Sequence, residues 1–205
     1  MSAHQHVEGH LPQEPEKATL EGRNKILGFW IFLGAEVVLF GTLFSAFIAL
    51  RHQVLDGPHP SHLFELPMIF AATMILLTSS LMSVFAVQAM HRNQIKALIG
   101  WLVLTVVLGL AFLGLEIYEF NTYVNEGHKM NTSAFSSSFY TLVGFHGAHV
   151  AFGVLWISLL IGQLYKKGLN VVTAPKIYVS MIYWHFIDVV WVFIFSVVYL
   201  MGKVG

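Results

Sequence analysis

The stretch ILGFWIFLGAEVVLFGTLFSAFIAL, residues 26–50, runs for 25 residues and contains one ionisable side chain, Glu36. A helix rises about 1.5 Å per residue, so about 20 apolar residues cross a hydrocarbon core of about 30 Å. Four more stretches have this length and character, at residues 66–90, 97–120, 138–165 and 177–201. Backbone polar groups must be satisfied internally in lipid, and none of the stretches shows the alternation of barrel strands. The sequence therefore predicts an all-α integral membrane bundle of five transmembrane helices.

The composition agrees with a membrane protein. Of the 205 residues, 56% are hydrophobic and 11% are charged, and the mean hydropathy is +0.69. Lys plus Arg equals Asp plus Glu at 11 each, so no excess of positive charge points to nucleic acid as a partner. The chain has no cysteine, which excludes disulfides and Cys-ligated metal centres.

Charge placement predicts the domain limits and the orientation. Residues 1–25 have no apolar core, so we expect a disordered cytoplasmic tail and not a signal peptide, followed by the five-helix domain at residues 26–205. Eight of the 11 basic residues lie in this tail and in the connectors after the second and fourth spans: Lys17, Arg23, Lys25, Arg92, Lys96, Lys166, Lys167 and Lys176. By the positive-inside rule, the N-terminus is cytoplasmic and the C-terminus is external.

Seven ionisable side chains lie within the predicted spans: Glu36, Glu116, Glu119, His146, His149, His185 and Asp188. Six of them form pairs three residues apart, which places both members of a pair on one helix face. Depths estimated from the helix starts predict two polar layers. The outer layer contains Glu116, Glu119, His146 and, near its edge, His149; the inner layer contains Glu36, His185 and Asp188.

Two interpretations of these polar pairs remain open from the residues alone. Carboxylate and imidazole groups on facing helices can act as structural hydrogen-bonding pairs. They can also bind iron or manganese in helix bundles, or a haem through two histidines. The Glu-x-x-His order typical of di-metal bundles is absent, which favours structural pairs and no metal in this chain.

Glu36 differs from the pairs because Phe32, Leu33, Leu39 and Phe40, the neighbours three or four residues away on its helix, are apolar. Burial without a cation favours the neutral acid. Glu36 is therefore either a group that takes up and releases a proton or a neutral acid hydrogen-bonded to another helix.

Small, hydroxyl-bearing and aromatic residues in the spans indicate how the helices pack and where they meet the membrane surface. Glycines in three spans predict close helix packing: Gly28, Gly34, Gly41, Gly109, Gly114, Gly144, Gly147 and Gly153. Thr78, Ser79, Ser80 and Ser83 give the second span a mild polar stripe, although it has no ionisable group. Aromatic residues near span ends, among them Tyr183 and Trp184, are expected to be interfacial anchors.

Four motifs resemble one protein family. GFHGAHVAFG at residues 144–153 and YWHFIDVVWVFIFSVVYL at residues 183–200 are similar to the most recognisable segments of subunit III of the haem-copper cytochrome c oxidases. FLGAEVVLF at residues 32–40 resembles the glutamate-bearing helix of the family, and LGLEIYEF at residues 113–120 its next landmark. The likeness is greatest to the short bacterial type with five helices; long members have two more helices at the start.

The resemblance implies a non-catalytic subunit of a proton-pumping terminal oxidase in the bacterial plasma membrane. It implies no catalytic residue, metal or cofactor in this chain, haems and copper in partner subunits, and bound phospholipid. Subunit I is the expected direct partner, with subunit II and a small subunit IV in the complex. Glu36 matches the buried acid to which a role in proton supply and lipid binding is attributed. The alternatives are subunit III of the related quinol oxidase and, from another class, a small proton-coupled transporter.

Overall fold

The computed structural model describes residues 11–51, 66–125 and 133–200. These ranges contain five long α-helices and no strand: α1 (Leu20–Leu50), α2 (Leu66–His91), α3 (Ile95–Asn125), α4 (Ala134–Lys167) and α5 (Ala174–Ile194). A π-helical turn, Phe195–Leu200, continues α5. All five helices are long and apolar enough to cross a membrane, which confirms the predicted fold class. The orientation of the termini stays a prediction.

The first helix begins earlier than the predicted span. The Thr19 hydroxyl accepts a hydrogen bond from the Gly22 backbone N–H at 3.0 Å, which satisfies one of the free donors at a helix start. A 3-10 turn, Pro15–Lys17, comes just before this cap. The structure therefore differs from the expected disordered tail over residues 15–25, whereas residues 1–10 lie outside the described part of the chain.

The other helices also extend past the predicted spans, because local caps and turns set their ends. Ser133 caps α4 by accepting a hydrogen bond from the Ser136 N–H at 3.1 Å. Gly168, with a φ of 64°, ends α4 and donates its N–H to the Leu164 carbonyl. Charged and polar residues at such ends do not count toward an apolar window, so hydropathy predicts the membrane-crossing part and not the full helix.

Four of the helices form a closed ring. α2 packs against α3, α3 against α4, α4 against α5, and α5 back against α2. α1 lies outside this ring, in the groove between α4 and α5. The described part of the chain is thus a four-helix bundle with one peripheral helix.

The large side chains of α5 fill the centre of the ring. The Trp184 indole N–H donates to the Ser79 hydroxyl at 2.9 Å, and the Trp191 N–H donates to the Thr73 hydroxyl at 3.0 Å. Tyr183 and Trp184 are 2% and 1% exposed, so the prediction that they are interfacial anchors is wrong. Their polar atoms find partners on neighbouring helices, which removes the need for water at a membrane interface.

Glycines make room for Trp184 on two sides. A Cβ at Gly109 would lie 2.7 Å from the Trp184 ring, and one at Gly153 would lie 3.0 Å from it. The predicted close packing is therefore found at these positions and at Gly147. It is not found at five other glycines, where an added Cβ would meet nothing within 4 Å: Gly28, Gly34, Gly41, Gly114 and Gly144.

Candidate functional site

Glu36 contacts the bundle through His149. Its Oε2 lies 3.1 Å from the His149 Nε2, across the interface between α1 and α4. The side chains of Glu36 and His149 are 12% and 18% exposed, so the chain covers most, but not all, of the surface of the pair. His149 therefore belongs with Glu36 and not with the predicted outer layer.

Three contacts fix the position of His149. Its Nδ1 lies 2.6 Å from the Phe145 carbonyl oxygen in the preceding turn of α4. The Tyr183 hydroxyl, from α5, donates to the His149 carbonyl at 3.1 Å. The Phe40 ring of α1 meets the imidazole edge-on, with ring centroids 5.1 Å apart. Contacts from α1 and α4 thus fix the imidazole, and α5 binds the backbone of the same residue.

His185 faces α2 and not Glu36. The Ser83 hydroxyl donates to the Ser80 carbonyl at 2.7 Å, which leaves its oxygen as an acceptor for the His185 Nε2–H at 3.2 Å. The His185 Nδ1 then accepts from the Ser80 hydroxyl at 2.7 Å. This arrangement selects a neutral imidazole with its proton on Nε2. The predicted inner layer is therefore split between two interfaces.

Asp188 lies one turn after His185 and is 4% exposed. Ser80 is close to it but outside hydrogen-bonding geometry, and neither carboxyl oxygen has a partner among the described residues. An unpaired carboxylate in such a place is costly, so the neutral acid is the form that the site favours.

Glu116 and Glu119 remain together on α3. The Glu119 carboxyl accepts a hydrogen bond from the Tyr123 hydroxyl. The Glu116 carboxyl lies against the backbone of α4 at Gly147, where an added Cβ would stand 2.7 Å from its Oε1. Gly147 is thus the residue that admits Glu116 into the α3–α4 interface.

His146 is fully buried but makes no hydrogen bond with the glutamates of its predicted layer. Its ring stacks on Trp191, with centroids 5.1 Å apart and an interplanar angle of 28°. Phe112 meets it edge-on at 5.9 Å. Within the described ranges neither ring nitrogen has a hydrogen-bond partner. His146 therefore packs as an aromatic side chain in this structure.

The predicted polar residues do not converge on one centre. Among the described residues, no three His, Asp or Glu side chains come together as metal ligands would. They occupy separate interfaces: α1–α4 for Glu36, α2–α5 for His185, and α3–α4 for Glu116. The chemistry available is hydrogen bonding between helices and, at Glu36 and His149, the exchange of a proton.

Sequence reasoning missed two groups of partners. The first group is the hydroxyls of α2, which bind His185, Trp184 and Trp191. The polar stripe in the sequence indicated Ser79, Ser80 and Ser83, whereas nothing in the sequence distinguished Thr73. The second group lies before α1, where Glu16 is 1% exposed and its Oε1 is 3.2 Å from the His91 Nε2. The sequence analysis did not predict this contact because it assigned residues 1–25 to a disordered tail.

Comparison with known proteins shows which sequences the chain resembles. The family model for cytochrome c oxidase subunit III matches residues 7–203. The chain is 60% identical over 196 residues to cytochrome c oxidase subunit 3 of Bacillus sp. (strain PS3), covering 95% of each chain. It is 58% identical over 196 residues to the protein of the same name from Alkalihalophilus pseudofirmus, again covering 95% of each. It is 47% identical over 201 residues, 98% of each chain, to quinol oxidase subunit 3 of Bacillus subtilis.

Proposed function

The chain belongs to the cytochrome c oxidase subunit III family, and we propose that it stabilises subunit I of a proton-pumping terminal oxidase and supports proton uptake there. Membership makes it a multi-pass protein of the bacterial plasma membrane and a subunit of a respiratory oxidase. The observation that carries the proposal is 60% identity along 95% of both chains, together with five membrane-spanning helices in the described ranges.

In this proposal the redox chemistry belongs to other subunits. Haems and copper reside in partner chains, and this chain supplies structure and a lipid-facing acid. The separate placement of the polar groups supports this division, because Glu36, His149 and His185 each contact a neighbouring helix of the same chain. Subunit I is the direct partner, and subunit II and a small subunit IV complete the complex.

Glu36 is the residue to which we assign the role in proton supply and lipid binding. It lies on the peripheral helix and keeps 12% of its side chain exposed. The outward face of α1 carries exposed apolar side chains near Glu36, including Ile31, Val37 and Val38 at 71%, 58% and 65%. Such a surface is suited to phospholipid chains or to an apolar face of another subunit. The remaining polar residues have structural roles: Glu116, Glu119, His146, His149, His185 and Asp188.

The electron donor is proposed to be cytochrome c. Three relatives named as cytochrome c oxidase subunit 3 are 57% to 60% identical to the chain, whereas five named as quinol oxidase subunit 3 are 43% to 47% identical. Quinol remains the second candidate because the quinol oxidase relatives also match along 90% or more of the chain. A transporter is disfavoured by membership in the family.

Purification from the native membrane in a mild detergent tests the proposal. A large haem-bearing subunit is expected to co-purify with the chain, and the complex should reduce oxygen with reduced cytochrome c as the donor. Recovery of the chain alone, or stoichiometric haem or copper in the separated chain, would contradict it. Oxygen reduction with a quinol and not with cytochrome c would favour the second candidate.

A further inference from the structure

We propose that Glu36 and His149 hold one proton between them, so that the two side chains form a single, electrically neutral proton-binding site at the α1–α4 interface. This inference deepens the proposed function of Glu36 and rests on it. It adds His149 as the residue that positions the acid and shares its proton.

The Phe145 carbonyl determines the first proton of the imidazole. A carbonyl oxygen can accept a hydrogen bond but cannot donate one. Because the His149 Nδ1 lies 2.6 Å from that oxygen, Nδ1 carries a proton. This fixes the tautomer and leaves Nε2 as the atom that faces Glu36.

The 3.1 Å separation between Nε2 and the Glu36 Oε2 then requires one proton. Two bare lone pairs facing each other would repel, and two protons there would clash. When Oε2 carries the proton, a carboxylic acid donates to a neutral imidazole. When the proton crosses, the O–H bond breaks, an N–H bond forms, and a carboxylate faces an imidazolium. The net charge is zero in both arrangements.

The surroundings favour this single-proton state. Phe40 covers the imidazole, and Glu36 has no second hydrogen bond among the described residues. Two ionisable groups interact with the pair: Tyr183 of α5, which donates to the His149 carbonyl, and His146, one turn earlier on α4. Neither supplies a compensating charge, since Tyr183 is neutral and His146 is fully buried. Loss or gain of a proton would therefore leave an uncompensated charge beside lipid, which is unfavourable.

The pair also explains how an acid can occupy the peripheral helix. The hydroxyls of Thr42 and Ser45, which follow Glu36 on α1, donate to the backbone of their own helix. His149 is thus the hydrogen-bonding link between the middle of α1 and the ring. Because this hydrogen bond requires one proton between Glu36 and His149, the attachment of α1 to the ring depends on the two side chains keeping that proton.

Two spectroscopic measurements on the intact oxidase complex test the inference. Infrared spectra report the carboxyl group of Glu36, whose absorption band is identified as the one that disappears in Glu36→Gln. Nitrogen NMR of labelled histidine reports the protonation of both ring nitrogens of His149. In His149→Phe the Glu36 carbonyl band is expected to be that of a neutral acid, shifted to higher frequency by loss of the hydrogen bond. In Glu36→Gln the His149 ring is expected to be neutral, with its proton on Nδ1.

Tyr183→Phe is the matched control. It removes a hydrogen bond to the same histidine without touching the proton, so both signatures should match the wild type. An ionised Glu36 in His149→Phe, or an imidazolium in Glu36→Gln, would overturn the inference, as would a wild-type carboxylate beside a neutral imidazole. If the infrared and NMR signals changed as much in Tyr183→Phe as in the other two variants, the inference would also be overturned, because the signals would then report packing around His149 and not the shared proton.

Activity separates the inference from the proposed function. If the spectra behave as expected while Glu36→Gln keeps proton uptake and resistance to inactivation during turnover, the proton site stands and the assigned role of Glu36 fails. If Glu36→Gln loses these properties while the spectra show no coupling between the two residues, the proposed function stands and the shared proton is refuted.

Discussion

α1 and α5 are both apolar membrane-spanning helices, yet they occupy opposite environments. In the most apolar part of each helix, 17% of the residues of α1 are buried within the chain, against 50% for α5. α5 contacts α1, α2 and α4, whereas α1 lies in a groove on the outside of the ring. Helices of similar hydropathy therefore have different positions in the fold: α5 holds the ring together, and α1 leaves most of its apolar surface uncovered by the described part of the chain.

The two helices also differ in the burial of their large side chains. Trp184 of α5 is 1% exposed and lies between two glycines, whereas Trp30 of α1 is 57% exposed. Lipid tails are as apolar as a protein core, so burial within the chain gains little from hydrophobicity alone. Tight packing and hydrogen bonds between helices supply the specificity, and α5 has more of both.

Removal of a large core side chain should give the largest contrast. Trp184→Ala leaves a cavity between Gly109 and Gly153 and removes the hydrogen bond to Ser79, so we expect a loss of about 3–5 kcal/mol in the free energy of unfolding. Trp30→Ala on α1 is the matched control and should cost less than about 1 kcal/mol. Thermal unfolding of the purified complex in detergent measures both, and equal losses would mean that the two helices are packed alike.

A methyl group added to a glycine tests the packing from the other direction. Gly147→Ala places a Cβ 2.7 Å from the Glu116 carboxyl, so α3 and α4 must move apart or Glu116 must change rotamer. Overpacking of this kind costs about 1–3 kcal/mol. Gly34→Ala on α1, where a Cβ meets nothing within 4 Å, should be neutral or slightly stabilising. A destabilising Gly34→Ala would show that another subunit covers α1 closely at that point.

The hydroxyls of α2 should contribute less. The double variant Ser80→Ala, Ser83→Ala leaves both nitrogens of His185 without partners, and a cost of about 1–2 kcal/mol is expected from two interhelical hydrogen bonds in a membrane. His185→Ala and Asp188→Ala should likewise impair assembly of the complex, measured as the yield of purified oxidase. Ser45→Ala on α1, whose hydroxyl binds its own helix, is the control and should have no effect. Normal assembly of His185→Ala with selective loss of activity would indicate a direct chemical role.

Glu36→Gln should have the smallest effect on stability, below about 1 kcal/mol, because an amide N–H can still donate to the His149 Nε2. The haem absorption spectra of the complex should be unchanged. The effect should appear instead in proton uptake and in the number of turnovers before inactivation. Loss of the haems, or an immediate stop of electron transfer to oxygen, would contradict the assignment of Glu36 to a supporting role.

Hydropathy was sufficient to predict five spans, because length and apolar character alone determine which segments enter a bilayer. The partners of the polar residues could not be predicted in the same way. A soluble helix has an apolar stripe that shows which face is inside, whereas these helices are apolar all round. The rotation of each helix about its axis is therefore not encoded in periodicity, and that rotation decides whether His149 meets Glu36 or Glu119.

Trp184 shows the same limit for aromatic residues. Its position near a span end and next to a tyrosine is typical of an interfacial anchor. Its burial depends on Gly109 and Gly153, which come together with it only after three helices have packed. The glycines were visible in the sequence, but five similar glycines face no side chain, so their presence alone did not identify the packed positions.

The position of α1 has a consequence for biosynthesis. Of the five described helices, the ribosome makes α1 before the others, but its neighbours in the finished protein, α4 and α5, are the last two to leave the translocon. α2 and α3 can form their hairpin while α1 waits in the bilayer as a lone segment. Glu36 must therefore enter the membrane without its histidine, at a cost of a few kcal/mol that the apolar residues of α1 have to outweigh. Among the described helices, the earliest to be inserted is thus the last to reach its final position.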